Sequence, residues 1–91
     1  MEFIIIDGKR MTSVEQTHRY LARTLRLPPY YGNNLDALHD CLTDLGRNVW
    51  IILINGDCMD EALGEYAKTL RRVFAEACNA PYACHFTEHL S

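Results

Sequence analysis

The sequence predicts an α/β domain built on a small parallel sheet. Two apolar runs rich in β-branched residues, Phe3–Ile6 and Val49–Ile54, are separated by amphipathic segments long enough to be helices. With 91 residues there is room for one core, so the whole chain, 1–91, is expected to form a single domain. Hydrophobic residues at 48% and charged residues at 23% are ordinary for a globular chain and exclude wholesale disorder.

The first run ends at the turn signal Asp7-Gly8. Its residues are apolar at every position rather than every second one, a pattern that suits strands covered on both faces of a parallel sheet. Ser13 and Gln16 then have capping-box spacing, opening a helix with Val14, Tyr20, Leu21 and Leu25 as apolar contacts, stopped by Pro28. Asn34 can cap a second helix, in which Leu35, Leu38, Leu42 and Leu45 step around one face. Val49–Ile54 reads as the second strand and closes at Asn55-Gly56. The longest helix is expected from near Asp60 to Cys78, with Gly64 only a mild penalty inside it. Tyr82–Thr87 reads as a third strand.

Several function classes drop out on composition. Nine basic against twelve acidic side chains give a net charge of −3, which disfavours a nucleic-acid binder that must neutralise phosphates. Cys41, Cys58, Cys78 and Cys84 form no CxxC pair, so no zinc knuckle or redox motif is signalled. They are expected as small buried hydrophobes rather than as disulfides. Phe3–Ile6 is too short for a signal sequence or a membrane span, which makes a cytoplasmic protein without membrane contact the expectation.

Residues 27–46 carry Asp36, Asp40 and Asp44 and no Lys or Arg. At about 100° per residue, the leucines of this helix centre near −40° and the three aspartates fall at about 100–180°, forming a carboxylate row opposite the core. Thr43 lies beside the row and His39 on its shoulder. Like charges four residues apart cost roughly 0.2–0.5 kcal/mol per pair, and only Asp36 is near enough to the helix start to gain from the macrodipole. Stability therefore gives no reason for the row, whereas an edge that meets a cationic partner does. Tyr30 and Tyr31 stand at its mouth, one of them expected to cover the core edge and the other to offer rigid contact area. A metal-assisted hydrolase using Asp36, His39 and Asp40 is a weaker reading, because no further ligand is evident nearby, and Cys84, His85 and His89 read as strand packing plus an exposed tail rather than as a zinc site. No cofactor or metal is expected.

The run Leu27-Pro28-Pro29-Tyr30-Tyr31-Gly32-Asn33-Asn34-Leu35-Asp36-Ala37-Leu38-His39-Asp40-Cys41-Leu42-Thr43 closely resembles the signature of the barstar family of intracellular ribonuclease inhibitors. The resemblance covers most of the chain and includes its length, its strand order and the stretch Val73–Ala77. It implies a three-stranded parallel sheet packed with three to four helices, and a non-catalytic monomer that blocks a small basic, barnase-like ribonuclease in a 1:1 complex. It further implies that the acidic helix and preceding loop plug the enzyme's active site. Asp40 matches the carboxylate that stands in for an RNA phosphate, Asp36 a second acidic contact, and Tyr30 a tyrosine that packs over a catalytic histidine. Gly32, Asn34, Leu35 and Thr43 match flanking or shape-setting positions, and Glu76 an outlying acid. Some positions depart from the best-known member: His39 replaces a large aromatic residue, Asn33 an acid and Pro29 a charged residue. The segment Asn55–Glu65 looks shortened, so its helix is expected to be reduced. The alternative is a domain of the same fold that binds a different basic protein.

Overall fold

The computed structural model describes residues 1–78 and 84–89. Strands β1 (Glu2–Asp7), β2 (Val49–Ile54) and β3 (Cys84–Glu88) form a parallel sheet in the order β1-β2-β3. Helices α1 (Val14–Thr24), α2 (Leu35–Thr43), α3 (Gly56–Leu63) and α4 (Glu65–Ala77) supply the connections, with a 3-10 turn at Gly8–Arg10. Of the third predicted strand, Tyr82 and Ala83 lie outside the described residues.

Burial alternates strictly along β2: Val49, Ile51 and Leu53 are buried, while Trp50, Ile52 and Ile54 are not. Ile4 and Ile6 of β1 are buried in the same sense, and Phe3 and Ile5 are exposed. Register pairs Phe3 with Trp50 and Trp50 with His85, so all three side chains stand on one face. The expectation of strands covered on both faces is not met in β1: among the described residues the helices pack on one face, and at the other parity Phe3 and Ile5 are exposed while Trp50, Ile52 and Ile54 are half-buried.

The inner face joins one contiguous core with Leu21 and Leu25 of α1, Leu38 and Leu42 of α2, Met59 of α3, and Leu70 and Phe74 of α4. Phe74 stacks on Phe86 of β3 with ring centroids 4.8 Å apart. Both expected caps are present. Ser13 accepts from the Gln16 N–H at 3.1 Å, and Asn34 accepts from the Ala37 N–H at 2.8 Å. In α1, however, Val14 is exposed at 43% while Thr17 and His18 are buried. The helix ends before Pro28 in a Schellman turn: Leu27 donates to the Ala22 carbonyl, and Arg26 takes the left-handed conformation at φ 54°.

The expected long helix is two helices. Gly64, at φ 60° and ψ −130°, ends α3 and begins α4, a backbone conformation open to glycine and costly for other residues. The segment expected to be reduced keeps two turns of helix. One further expectation fails: Cys78 and Cys84 are joined by a disulfide. Their Cα atoms lie 4.5 Å apart because the end of α4 and the start of β3 meet in the fold, a proximity that spacing alone does not reveal. Cys41 and Cys58 are free.

The carboxyl ends of the strands are tied by charge. Arg71 of α4 bonds to Glu88 at the end of β3 at 2.8 and 3.0 Å, to Asp60 of α3 and to the Gly56 carbonyl. These acceptors hold the guanidinium pKa above its ordinary value.

Candidate functional site

Pro28 fixes the start of the loop between α1 and α2, and the Tyr31 N–H closes a turn on its carbonyl at 3.0 Å. The two adjacent tyrosines then point opposite ways. Tyr30 is 84% exposed and Tyr31 only 8%. Tyr31 is thus the one that covers the core. Its hydroxyl lies 2.5 Å from Nδ1 of His18, whose Nε2 lies 2.5 Å from the hydroxyl of Tyr66 on α4. A neutral imidazole has one N–H and one lone pair, so one tyrosine accepts from it and the other donates to it. Burial keeps the His18 pKa below its usual value and raises those of Tyr31 and Tyr66. The chain Tyr31–His18–Tyr66 ties the loop to α1 and α4 and so fixes where Tyr30 stands.

On the other side of the loop, Asn34 donates to the Gly32 carbonyl at 3.2 Å and caps α2, joining turn and helix into one piece. Asp36, Asp40 and Asp44 are all exposed on α2, while Leu35, His39 and Thr43 are half-buried beside them. Among the described residues, no Lys, Arg or His lies within ion-pair distance of the three carboxylates. Asp44 is the C-cap residue and no basic side chain occupies the last turn, so its charge sits at the negative end of the helix dipole. Burial raises the Cys41 thiol pKa, and the neighbouring Asp40 and Asp44 carboxylates raise it further.

Tyr30, Asp40 and Asp44 line a groove of about 340 Å³ that also takes in Pro28, Cys41 and Leu45. Its remaining lining is cationic: Arg26 and Arg47, both tied to Glu2, at 2.5 and 3.2 Å. Arg47 also bonds the Leu25 carbonyl at 2.7 Å, which fixes the guanidinium at the foot of the groove. The slot therefore has an acidic wall and a basic one. Glu76 is exposed on α4, the helix packed against α2, and among the described residues Arg72 forms no ion pair with it.

Of the predicted residues, Tyr30, Gly32, Asn34, Asp36, Asp40 and Asp44 share one exposed edge with the half-buried Leu35, His39 and Thr43, and Tyr31 supports it from within. The residues missed are His18, Tyr66, Arg26 and Arg47. His18 had a signal, since Val14, His18, Leu21 and Leu25 step by 4, 3 and 4. The arginines had none, because only the fold brings them to the groove. Among the described residues no cluster of three or more His, Cys, Asp or Glu is arranged to hold a metal, and the Cys84 sulfur is taken up in the disulfide. No helix among them is long and apolar enough to cross a membrane.

Comparison with known proteins agrees with this architecture. The family model described as Barstar (barnase inhibitor) matches residues 1–87. A Bacillus subtilis (strain 168) protein named "Putative ribonuclease inhibitor YrdF" is 41% identical over 78 residues, covering 85% of this chain and 86% of its own length. An exposed tyrosine held beside an unpaired acidic helix, on a three-stranded parallel sheet, thus occurs in a chain that belongs to the barstar family.

Proposed function

We propose that this protein inhibits a small basic ribonuclease by inserting α2 and the Tyr30 loop into the enzyme's active site. One observation carries the reading: three carboxylates without a cationic partner among the described residues line the exposed side of a helix whose other face is core. A carboxylate is an acceptor-only anion, so Asp40 can take the charge-assisted hydrogen bonds that catalytic Arg and His groups offer a phosphate. Tyr30 provides a flat, pre-positioned surface for a ring of the enzyme, and Gly32 and Asn34 set the approach of the loop. Asp36 and Asp44 extend the field along the edge, which speeds encounter with a cationic partner. The roles of Leu35, His39, Thr43 and Glu76 are flanking contacts. The protein supplies no catalysis; it occupies a site.

The test is calorimetric titration against a barnase-type ribonuclease, with an RNA-cleavage assay alongside. Tight 1:1 binding and loss of cleavage are expected. Asp40→Ala should weaken the complex by at least about 2 kcal/mol, roughly thirtyfold, with an unchanged circular dichroism spectrum. Wild-type protein that neither binds nor inhibits refutes the reading in favour of another basic partner.

A further inference from the structure

The acidic row lies beside two arginines and pairs with neither. Arg47 follows Asp44 by three residues, and Arg26 lines the same groove as Asp40 and Asp44. A carboxylate and a guanidinium within reach of each other ordinarily form a charge-assisted pair, so the open groove needs a cause. Glu2 is the acid that both arginines use instead. As the first residue of β1 it is set in the sheet, its N–H donating to the Asn48 carbonyl at 3.0 Å and its Cα in register with Val49. Its carboxylate takes Arg26 on Oε2 at 2.5 Å and Arg47 on Oε1 at 3.2 Å. Arg47 has a second anchor in the Leu25 carbonyl at 2.7 Å. Arg26 has no other among the described residues, and its side chain is 64% exposed.

We infer that Glu2 is a positioning residue for the acidic edge: by holding Arg26 and Arg47 at the start of β1, it keeps Asp40 and Asp44 free of an internal partner. The consequence for ribonuclease binding rests on the inhibitor reading proposed above. Without Glu2, Arg26 loses its anchor, and the acids that remain in its groove are Asp40 and Asp44. Pairing there occupies the oxygens that the enzyme's cations need, and sets a positive charge where a cationic active site must approach. A molecule so paired is not competent to bind, and the apparent dissociation constant rises as the competent fraction falls. An exposed ion pair shifts such an equilibrium by up to about fivefold, which sets the size of the effect. Cys41 is an internal gauge of the same event. It lines the groove, and the Asp40 and Asp44 carboxylates add to the burial that raises its thiol pKa. An arginine arriving at either acid offsets that field, increases the thiolate fraction and speeds alkylation.

The test compares wild type, Glu2→Gln and the double variant Glu2→Gln/Arg26→Gln as free proteins, by the rate at which iodoacetamide labels Cys41 at about pH 8. In Glu2→Gln that rate should rise by at least about twofold, with the rate at Cys58 unchanged, and the double variant should return it to the wild-type value. Glu61→Gln, at an exposed position of α3 outside the groove, makes the same change in net charge and should leave the Cys41 rate alone. Titration of the same proteins against a barnase-type ribonuclease should give a dissociation constant about two- to fivefold weaker in Glu2→Gln, recovered in the double variant. A wild-type Cys41 rate in Glu2→Gln overturns the inference. A raised rate that persists in the double variant overturns it too, because a loosened β1 rather than Arg26 then exposes the thiol. Equal affinity of wild type and Glu2→Gln, where the wild type binds, also overturns it. Labelling needs no enzyme, so a ribonuclease that fails to bind the wild type refutes the inhibitor reading and leaves the labelling result standing.

Discussion

Replacing His18 by phenylalanine probes the fastening of the Tyr30 loop. The side chain is 1% exposed, and each ring nitrogen lies 2.5 Å from a tyrosine hydroxyl. Phenylalanine keeps a planar ring of similar size, so cavity formation is minor and the loss is polar. The Tyr31 hydroxyl, on a residue 8% exposed, is left without its partner at a cost of about 1–3 kcal/mol. Tyr66 is half-buried, can turn its hydroxyl toward water, and adds about 1 kcal/mol at most. The variant should therefore lose about 1–4 kcal/mol, a large share of the roughly 5–15 kcal/mol that holds a small domain. In thermal unfolding this is a Tm lower by about 5–20 °C. Acidity gives a second readout. Because burial lowers the folded-state pKa of His18, the unfolded chain takes up the proton first as pH falls below about 6.5. The contribution of neutral His18 is complete above that pH and is lost below it, until the folded pKa is reached. The slope is at most about 1.4 kcal/mol per pH unit. Urea unfolding between about pH 7.5 and pH 5 should show this slope in the wild type and a reduced one in the variant. A stability loss under about 0.5 kcal/mol at neutral pH, with an unchanged slope, would refute the fastening role.

Three other perturbations have defined outcomes. Arg71→Met leaves Glu88, Asp60 and the Gly56 carbonyl without their shared donor, and should cost about 1–3 kcal/mol in urea unfolding, reduced from the fully buried case because the side chain is 26% exposed. Gly64→Ala forces a Cβ into a backbone region at φ 60° and should lower stability by about 1–3 kcal/mol; an unchanged Tm would mean that the α3–α4 break relaxes freely. Alkylation of the unfolded, unreduced protein should label Cys41 and Cys58 only, and all four cysteines after reduction, with a stability loss of about 2 kcal/mol for opening so short a loop. Four labelled thiols before reduction would contradict the Cys78–Cys84 bond.

Much of the architecture was legible because local signals and tertiary outcome coincide. Ser13 and Asn34 mark helix starts by side-chain chemistry that operates wherever they stand, and both caps are found. The acidic row on α2 was legible for the same reason, since a helix places residues four apart on one side whatever it packs against. What failed depended on distant partners. A run such as Val49–Ile54 is apolar at both parities, and sequence cannot tell whether a second layer meets the outward one. Gly64 reads as a weak point within a helix unless one knows that α3 and α4 must diverge there. The proximity of Cys78 to Cys84, the convergence of Arg26 and Arg47 on the groove, and the Tyr31–His18–Tyr66 chain are all consequences of folding back, and no local spacing encodes them.

The Asp44 carboxylate caps the negative end of α2, one turn beyond Asp40, and among the described residues no cation lies within ion-pair distance of either. Such an arrangement sets the interests of the free molecule against those of its complex. Any search for a sturdier protein would begin by replacing these aspartates with neutral or basic residues, and each replacement would raise the melting temperature while dulling the edge. Raising salt should likewise toughen the free chain, the reverse of its expected effect on encounter with a cationic enzyme. Selection for hardiness alone would erase the row; it persists only if something outside the chain requires it.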